Sequence, residues 1–170
     1  ESCKNTLRIP EEVSRVTITL EEAGFEAYLI GGCVRDLLLD KTPKDWDVTT
    51  NATPNEVIAL FPHTYHENDF GTVGVVNENP NDPSLEVVEV TTFREEGAYS
   101  DNRRPDTVTF SKTLEDDVKR RDFTINALAY NVSRKTLIDY WNGEKDLQDK
   151  TVRAVGNANE RFREDALRII

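Results

Sequence analysis

The sequence predicts an α/β (α+β) domain in which helices and strands alternate along one compact unit. Its 170 residues are about the length of a single domain and are enough to bury a core. Amphipathic helical stretches and β-like runs are interleaved, and no internal repeat or Pro/Gly-rich linker divides them. Because no run approaches the ~20 apolar residues of a membrane span, no membrane partner is expected.

The composition bears on the partners and the compartment. The net charge is −11, from 32 Asp and Glu against 21 Lys and Arg. Since neutralising phosphates normally needs a basic surface, any bound RNA is expected to be gripped mainly elsewhere. Cys3 and Cys33 form no disulfide framework, so we expect free thiols and a cytoplasmic location. The composition does not indicate an oligomeric state.

The first half of the chain is predicted to form a helix, strand, helix, strand and helix in that order. Proline near the start and glycine after the end delimit such helices. The predicted elements are a helix from Pro10 to Ala23, a strand from Glu26 to Ile30, a helix opened by Gly31-Gly32, a strand over 45–50, and a helix that starts at Thr53-Pro54 and carries Val57 to Phe61.

The second half is predicted to contain more strands. Its elements are strands at Thr72–Val76 and Leu85–Phe93, a polar loop over 94–106, a short strand VTF, a helix from Thr113 through about Tyr130, strand TLIDYW, an acidic turn or short helix, strand TVRAV, and a helix from Ala158 that still runs at Ile170. The stop inside this last helix suggests a piece of a longer protein.

The segment Asp45-Trp46-Asp47 carries two carboxylates two residues apart. On a strand these side chains share a face, and Trp46 points to the other. Neighbouring carboxylates repel unless a cation lies between them, and Mg²⁺ favours a few carboxylates with water and phosphate as its other ligands. Taken alone, the same pattern also fits a solvated turn before a strand.

Glu89 is the unusual residue of the strand LEVVEVTTF. Alternation places it in a row with Leu85, Val87, Thr91 and Phe93, which is largely apolar. A carboxylate in such a row is costly unless it is paired or bound to a metal. Glu89 is therefore a candidate third metal-site carboxylate or base, although a salt bridge or a water-facing edge strand would also explain it.

Gly31-Gly32 lies between a predicted strand and a predicted helix. Glycines there let the backbone approach a phosphate closely, with N–H groups of the helix start aimed at it. Arg35 could add charge to the same pocket, and Asp36 could orient Arg35 or merely be a surface residue. A simple tight turn explains the glycines equally well.

Two further pairs are candidate nucleotide contacts. Asp122 and Asn126 are four apart, share a helical face with Arg121 alongside, and could bind ribose hydroxyls. An N-cap and a surface residue would also explain them. Asp165 and Arg168 are three apart, as in an ordinary helical ion pair, but could also read the amine and ring acceptor of cytosine or adenine.

Taken in order, these segments resemble the class II tRNA nucleotidyltransferases (CCA-adding enzymes) and their relatives, the bacterial poly(A) polymerases. LIGGCVRDLLLDKTPKDWDVTT resembles the first motif, LEVVEVTTFR the strand of the third carboxylate, RRDFTINALAY the ribose and phosphate motif, and EDALR the base-reading motif. The resemblance implies a nucleotidyltransferase (polymerase beta-like) head, a mixed sheet flanked by helices, over residues 1–150. Residues 151–170 would begin a helical neck.

The resemblance also implies a reaction, in which a tRNA 3′-hydroxyl attacks the α-phosphate of CTP or ATP and pyrophosphate leaves. Asp45 and Asp47 would hold two Mg²⁺ ions ~3.5–4 Å apart, with Glu89 completing the site. The other assigned residues are Gly31, Gly32, Arg35, Arg120 and Arg121 for the phosphates, Asp122 and Asn126 for the ribose, and Asp165 and Arg168 for the base.

Two departures from the family pattern qualify these expectations. Ala166 stands where the last motif usually has Pro, a mild change at a helix position. The chain also ends where the neck, body and tail domains would begin, and those are expected to hold most of the tRNA. GAYSDNRRPD resembles the flexible loop of CCA-adding and A-adding enzymes. Full CCA addition is preferred; the alternatives are A-only or poly(A) addition, or a nucleotide-binding fragment without activity.

Overall fold

The architecture is a mixed sheet with helices packed against it, as the sequence predicts. The computed structural model describes residues 6–66, 71–96 and 108–159. Its strands are β1 (Ala27–Ile30), β2 (Trp46–Thr50), β3 (Thr64–His66), β4 (Thr72–Val76), β5 (Val87–Thr92), β6 (Arg94–Glu96), β7 (Val108–Phe110), β8 (Ala129–Asn131) and β9 (Thr136–Ile138).

The helices are short and have local signals at their ends. They are α1 (Glu11–Glu22), α2 (Gly32–Leu38), α3 (Pro54–Leu60), α4 (Leu114–Lys119) and α5 (Gly143–Gln148). Thr53 and Glu56 form a capping box at the start of α3, where each satisfies a backbone N–H of the other. Within the described ranges, no helix combines the length and apolar character needed to cross a bilayer.

Seven strands form one sheet in the order β3-β4-β5-β2-β1-β8-β9, and β6 and β7 form a separate ribbon. Among the strand pairs described, β2 and β5 run parallel, and the others are antiparallel. The chain passes through α3, β3 and β4 between β2 and β5. This crossover brings residues that are about forty positions apart in sequence to the centre of one sheet.

The two faces of the sheet differ in character. On one face Val48, Val88 and Val90 are fully buried in the main core, together with residues of α1, α2 and α3. On the other face a smaller core around Ile30, Phe93 and Val118 packs beneath α4. Polar strand residues share this second face, and they include the predicted carboxylates.

Several predicted elements were wrong. The helix predicted from Thr113 to about Tyr130 ends at Lys119, and Thr124–Asn126 is a 3₁₀ turn. β8 follows because Leu29 and Ile30 of β1 pair with it, and this sheet pairing overrides the helical propensity of the segment. TVRAV forms no strand; Ala154 makes an isolated bridge to Phe123.

The central region also differs from the prediction in the start of one strand and in the presence of another. The strand predicted from Leu85 begins at Val87, because Pro83–Leu85 forms a 3₁₀ turn capped by Asp82. β3 was not predicted at all; it is a three-residue strand of mostly exposed residues that pairs with β4. Of the helix predicted from Ala158, only its first residues lie in the described part of the chain.

Candidate functional site

Asp47 and Glu89 lie directly opposite each other on the parallel strands β2 and β5. Neighbouring strands are about 4.7–4.9 Å apart, and paired residues project from the same face of the sheet. The side chains of Asp47 and Glu89 are close enough for Glu89 to lower the pKa of Asp47 as a hydrogen-bond donor. Because a hydrogen bond between two carboxyl groups needs a shared proton, the pair has the chemistry of a site that accepts a cation instead.

The environment of Asp47 disfavours its negative charge. Burial raises the pKa of this carboxyl group, and the nearby charge of Asp45 raises it further. The hydrogen bond from Glu89 and the positive charge of Arg121 act in the opposite direction. Asp45 itself precedes β2 and is exposed. A buried carboxylate with another beside it is stabilised when a cation binds.

Of the three predicted carboxylates, Asp47 and Glu89 form a pair, and Asp45 lies near Asp47 at the exposed margin of the site. Within the ranges that the structure describes, no group of three or more His, Cys, Asp or Glu side chains is arranged to hold a metal ion by itself. A hard divalent ion at such a site takes its remaining oxygen ligands from water and phosphate. Any ion here is thus expected to bind together with a phosphate-bearing ligand.

The row of residues that contains Glu89 is less buried than its largely apolar composition suggests. The buried row of β5 is the alternate one with Val88 and Val90, whereas Val87, Glu89 and Thr91 are only partly buried. The buried apolar members of the predicted row, Leu85 and Phe93, lie just outside β5. Glu89 occupies the polar face of the sheet, where a carboxylate can meet a ligand.

Gly74 and Tyr65 close one side of this face. Gly74 lies opposite Glu89 on β4, and Tyr65 lies opposite Gly74 on β3. A side chain at Gly74 would place its Cβ 2.4 Å from the Tyr65 ring. The missing side chain therefore makes room for that ring on the face that carries Glu89. Tyr65 was not predicted, because β3 itself was not predicted.

Gly31 adopts a backbone conformation that favours glycine, with φ 78° and ψ −137°, just before α2. A Cβ there would lie 3.3 Å from Nη1 of Arg121, so the glycine gives this guanidinium room. The backbone N–H of Gly31 donates to the Leu128 carbonyl at 3.1 Å. That N–H is engaged within the protein, which corrects the expectation that it is free for a phosphate.

Arg35 is joined to the predicted ribose residues by a chain of hydrogen bonds. Its Nη1 donates to Oδ1 of Asn126 at 2.7 Å, across 91 positions of sequence. Nδ2 of Asn126 donates to Oδ1 of Asp122 at 3.2 Å. Arg35 also donates to Oδ1 of Asp36, which holds the guanidinium in place as predicted for Asp36.

Asp122 and Asn126 meet although they do not share a regular α-helix. Asp122 lies after α4, and Asn126 ends the 3₁₀ turn. Oδ1 of Asp122 also accepts from the backbone N–H of Phe123 at 2.6 Å. The two residues are therefore neighbours, as the prediction of a shared face required, but a turn rather than an α-helix brings them together.

Arg120 and Arg121 are held by Asp117, a residue that was not predicted from the sequence. Asp117 is fully buried, and it accepts from Nε of Arg120 at 3.1 Å and from Nη2 of Arg121 at 3.3 Å. The spacing of three and four residues was the available signal, although it also describes any ordinary helical ion pair.

Asp165, Arg168 and the loop GAYSDNRRPD lie outside the described residues. Their predicted roles therefore stay predictions. The described residues bring together Gly31, Arg121, Asp47 and Glu89 as one group, and Arg35, Asn126 and Asp122 as a second. Gly31 and Asn126 connect the groups, since a Cβ at Gly31 would lie 3.7 Å from the Asn126 carbonyl.

A family model and a curated protein both match most of the chain. The family model for the poly A polymerase head domain matches residues 27–153. The chain is 50% identical over 153 residues to the CCA-adding enzyme of Lactobacillus helveticus, covering 89% of this chain and 37% of that enzyme.

Two solved structures show the same fold. The CCA-adding enzyme of Bacillus stearothermophilus in complex with CTP superposes with a TM-score of 0.81 and 39% identity, covering 95% of this chain and 38% of that one. A tRNA nucleotidyltransferase complexed with a primer tRNA and an incoming ATP analog has a TM-score of 0.67 and 31% identity, covering 91% and 42%. The chain spans well under half the length of these relatives.

Proposed function

The chain belongs to the poly(A) polymerase head domain family, and we propose that it is the catalytic head of an enzyme that adds C and A from CTP and ATP to tRNA 3′ ends. The observation that carries this proposal is the opposition of Asp47 and Glu89 on parallel strands, with Arg121 and Gly31 beside them. Negative ligands for a cation and a positive group for phosphates then lie together. The matches to CCA-adding enzymes favour C and A as the added nucleotides.

Membership of a nucleotidyltransferase family implies dependence on divalent metal ions in general. The residues present fit such an ion, because the donors are all carboxylate oxygens and burial of Asp47 makes its uncompensated charge unfavourable. We assign two Mg²⁺ ions to Asp45 and Asp47, with Glu89 completing the site. When bound, the ions would lower the pKa of the RNA 3′-hydroxyl and neutralise the charge of the leaving pyrophosphate.

The arginines bind and orient the triphosphate of CTP or ATP. Arg121 lies close enough to Asp47 for their charges to interact, and its Nη1 lies beside the Gly31 turn. Arg120 is the preceding residue and shares the same carboxylate partner. Planar guanidinium groups match phosphate oxygens in geometry and charge. Arg35 contributes from the start of α2, and the Gly31-Gly32 turn contributes room for Arg121 rather than the N–H of Gly31, which is engaged within the protein.

Asp122 and Asn126 orient the ribose of the incoming nucleotide. A ribose hydroxyl can donate to a carboxylate and accept from an amide, and the linked Asp122 and Asn126 offer both groups. Contact to the 2′-hydroxyl separates ribonucleotides from deoxyribonucleotides. Asp165 and Arg168 read the base, with the carboxylate accepting from the exocyclic amine of C or A.

The tRNA is gripped mainly outside these 170 residues. A net charge of −11 opposes the binding of a polyanion, and salt-dependent phosphate contacts need lysines and arginines in excess. The head then supplies the nucleotide site and the chemistry at the 3′ end. We place this activity in the cytoplasm, an inference from the spacing of the two cysteines in the sequence.

The test is incorporation of labelled CTP and ATP into tRNAs that lack CCA, CA or only A, by this chain and by the intact protein. We expect the intact protein to complete all three ends and to reject UTP and GTP. Extension of only the tRNA that lacks the final A would indicate an A-adding enzyme, and long runs of A from ATP alone would indicate a poly(A) polymerase. No incorporation into any tRNA by the intact protein would contradict the proposal.

A further inference from the structure

Asp117 is a buried carboxylate that receives four hydrogen bonds from three separate parts of the molecule. Besides Arg120 and Arg121, its Oδ2 accepts from Oγ1 of Thr49 at 3.2 Å, and its Oδ1 accepts from the backbone N–H of Arg94 at 3.3 Å. Its exposed fraction is 0%. Thr49 lies on β2 two residues after Asp47, so Asp117 is anchored to the strand that carries the metal-site carboxylate.

The charge of Asp117 is maintained in spite of its burial. Burial by itself would raise the pKa of this carboxyl group. The positive charges of Arg120 and Arg121, with the hydrogen bonds that Arg120 and the Arg94 backbone donate, outweigh that effect and hold the pKa below its ordinary value. Asp117 is therefore an anion at neutral pH, surrounded by donors.

The negative charge of Asp117 compensates the positive charges of Arg120 and Arg121. Their side chains are only 13% and 18% exposed, and they are adjacent in sequence, so each disfavours the charge of the other. Of the five N–H groups of the Arg121 guanidinium, those on Nη2 face Asp117 and Nη1 lies beside Gly31. Nε of Arg121 is buried and has no hydrogen-bond partner in the described residues.

The orientation of Arg121 therefore depends on Asp117. With Nη2 held, the guanidinium plane has little rotational freedom, and Nη1 is kept on the Gly31 side. Apart from Asp117, no described carboxylate forms an ion pair with Arg121. If Asp117 were lost, the guanidinium would be free to turn towards the Asp47–Glu89 pair, where a metal ion is expected.

We propose, on the basis of the function proposed above, that Asp117 is a positioning residue that aims Arg120 and Arg121 at the triphosphate of the incoming nucleotide. It acts through the arginines and does not touch the nucleotide. Its loss weakens the binding of phosphate groups specifically, and leaves the binding of base and ribose unchanged.

The proposal is tested by the affinities of CTP and CMP for the intact protein, measured by calorimetry with Mg²⁺ present. Asp117→Asn keeps the size of the side chain but removes its charge. We expect it to weaken CTP binding about tenfold or more, as for a lost interaction near 1.4 kcal/mol, and CMP binding less than about twofold. A role confined to stability would weaken both ligands equally.

Asp116→Asn is the matched control, because Asp116 is the neighbouring carboxylate on α4 and accepts from Ser111 and Thr113 rather than from the arginines. It should leave both affinities unchanged. In an Arg121→Gln background, Asp117→Asn should have a much smaller effect on CTP than in the wild type, since residues that act together are not additive.

If Asp117→Asn fails to fold, the same substitution is compared in an Arg120→Gln background, which removes one of the two buried charges that Asp117 balances. There it should still weaken CTP more than CMP, through Arg121. Equal loss of both ligands, or loss of neither, would overturn the positioning role. A wild-type protein that does not prefer CTP to CMP would overturn the function proposed above and this inference together.

Discussion

Asp47 and Glu89 face each other across the parallel pair β2 and β5, with their carboxyl groups close enough to affect each other's charge. Two acidic side chains in this arrangement weaken the fold unless a proton or a cation lies between them. A site of this kind gives up stability in return for binding a charged ligand. Several measurable consequences follow from that relationship.

Asp47→Asn should separate stability from activity. Burial raises the pKa of Asp47, which means that its charged form is disfavoured in the folded protein, and an amide has no such charge. Without metal ions, we expect the free energy of unfolding to stay the same or to increase. Nucleotide incorporation should fall about 10²-fold or more, as for other lost electrostatic contacts at reacting groups. Urea unfolding in EDTA and a labelled-CTP assay measure the two effects.

The control for this substitution is Asp40→Asn, at an exposed position after α2 with φ 55°, which asparagine tolerates. It should change neither quantity. If Asp47→Asn lost activity only because the protein unfolded, the separation of stability and activity would be wrong.

Gly31→Ala should weaken CTP binding as well as stability. The new Cβ would lie 3.3 Å from Nη1 of Arg121, at φ 78° and ψ −137°, a conformation that costs an L-residue about 1–3 kcal/mol. Gly24→Ala is also strained, at φ 91°, but meets nothing within 4 Å. Both variants should therefore lose stability on chemical unfolding, whereas only Gly31→Ala should lose affinity for CTP. Equal CTP affinities in the two variants would show that the Gly31 turn does not contribute to nucleotide binding.

The stabilising effect of Asp117 should depend on pH. Because its folded-state pKa lies below the ordinary value of 3.8, the unfolded chain binds more protons in that range, and the contribution of Asp117 to stability is complete only above about pH 4. We expect the difference between wild type and Asp117→Asn to be about 3–5 kcal/mol at pH 7, as for a broken buried ion pair. It should shrink as the pH falls below about 4.

Urea unfolding of both proteins between about pH 7 and pH 2 measures this difference. Other carboxyl groups with a lowered pKa, such as Asp82 and Asp146, are common to both proteins and cancel. A difference that stayed constant over the whole range would show that the charge of Asp117 does not stabilise the fold.

Asp165→Ala should relax the choice of base. A carboxylate that accepts from the exocyclic amine of C or A contributes about 1–3 kcal/mol of discrimination, so the preference for CTP and ATP over UTP and GTP should fall about tenfold or more. Glu164→Ala removes the neighbouring carboxylate and should preserve the preference for CTP and ATP over UTP and GTP. Competition between labelled CTP and UTP measures the ratio. An unchanged preference in Asp165→Ala would remove the base-reading role.

Local patterns were enough to predict the elements that carry most of the site. The proline and glycine around α1, the Thr53-Pro54 start of α3, and the two-residue spacing of Asp45 and Asp47 all act within a few residues, and the structure contains each of them. The Gly31-Gly32 turn before α2 was predicted in the same way.

Long-range pairing could not be predicted from such patterns. The opposition of Asp47 and Glu89 depends on the parallel register of β2 and β5, and the Arg35–Asn126 hydrogen bond spans 91 positions. Asp117 was not predicted because its helical spacing to the arginines is the same whether an ion pair is exposed or fully buried. The helix predicted through Tyr130 was wrong because pairing of β8 with β1 overrides local propensity.

Metal binding by the carboxylate pair is the central claim, and electron paramagnetic resonance with Mn²⁺ in place of Mg²⁺ tests it most directly, since Mn²⁺ accepts the same oxygen ligands. We predict that the intact wild-type protein with CTP binds two Mn²⁺ ions, that Asp40→Asn does the same, and that Asp47→Asn loses this binding. Undiminished Mn²⁺ binding by Asp47→Asn, in number and affinity, would contradict the account.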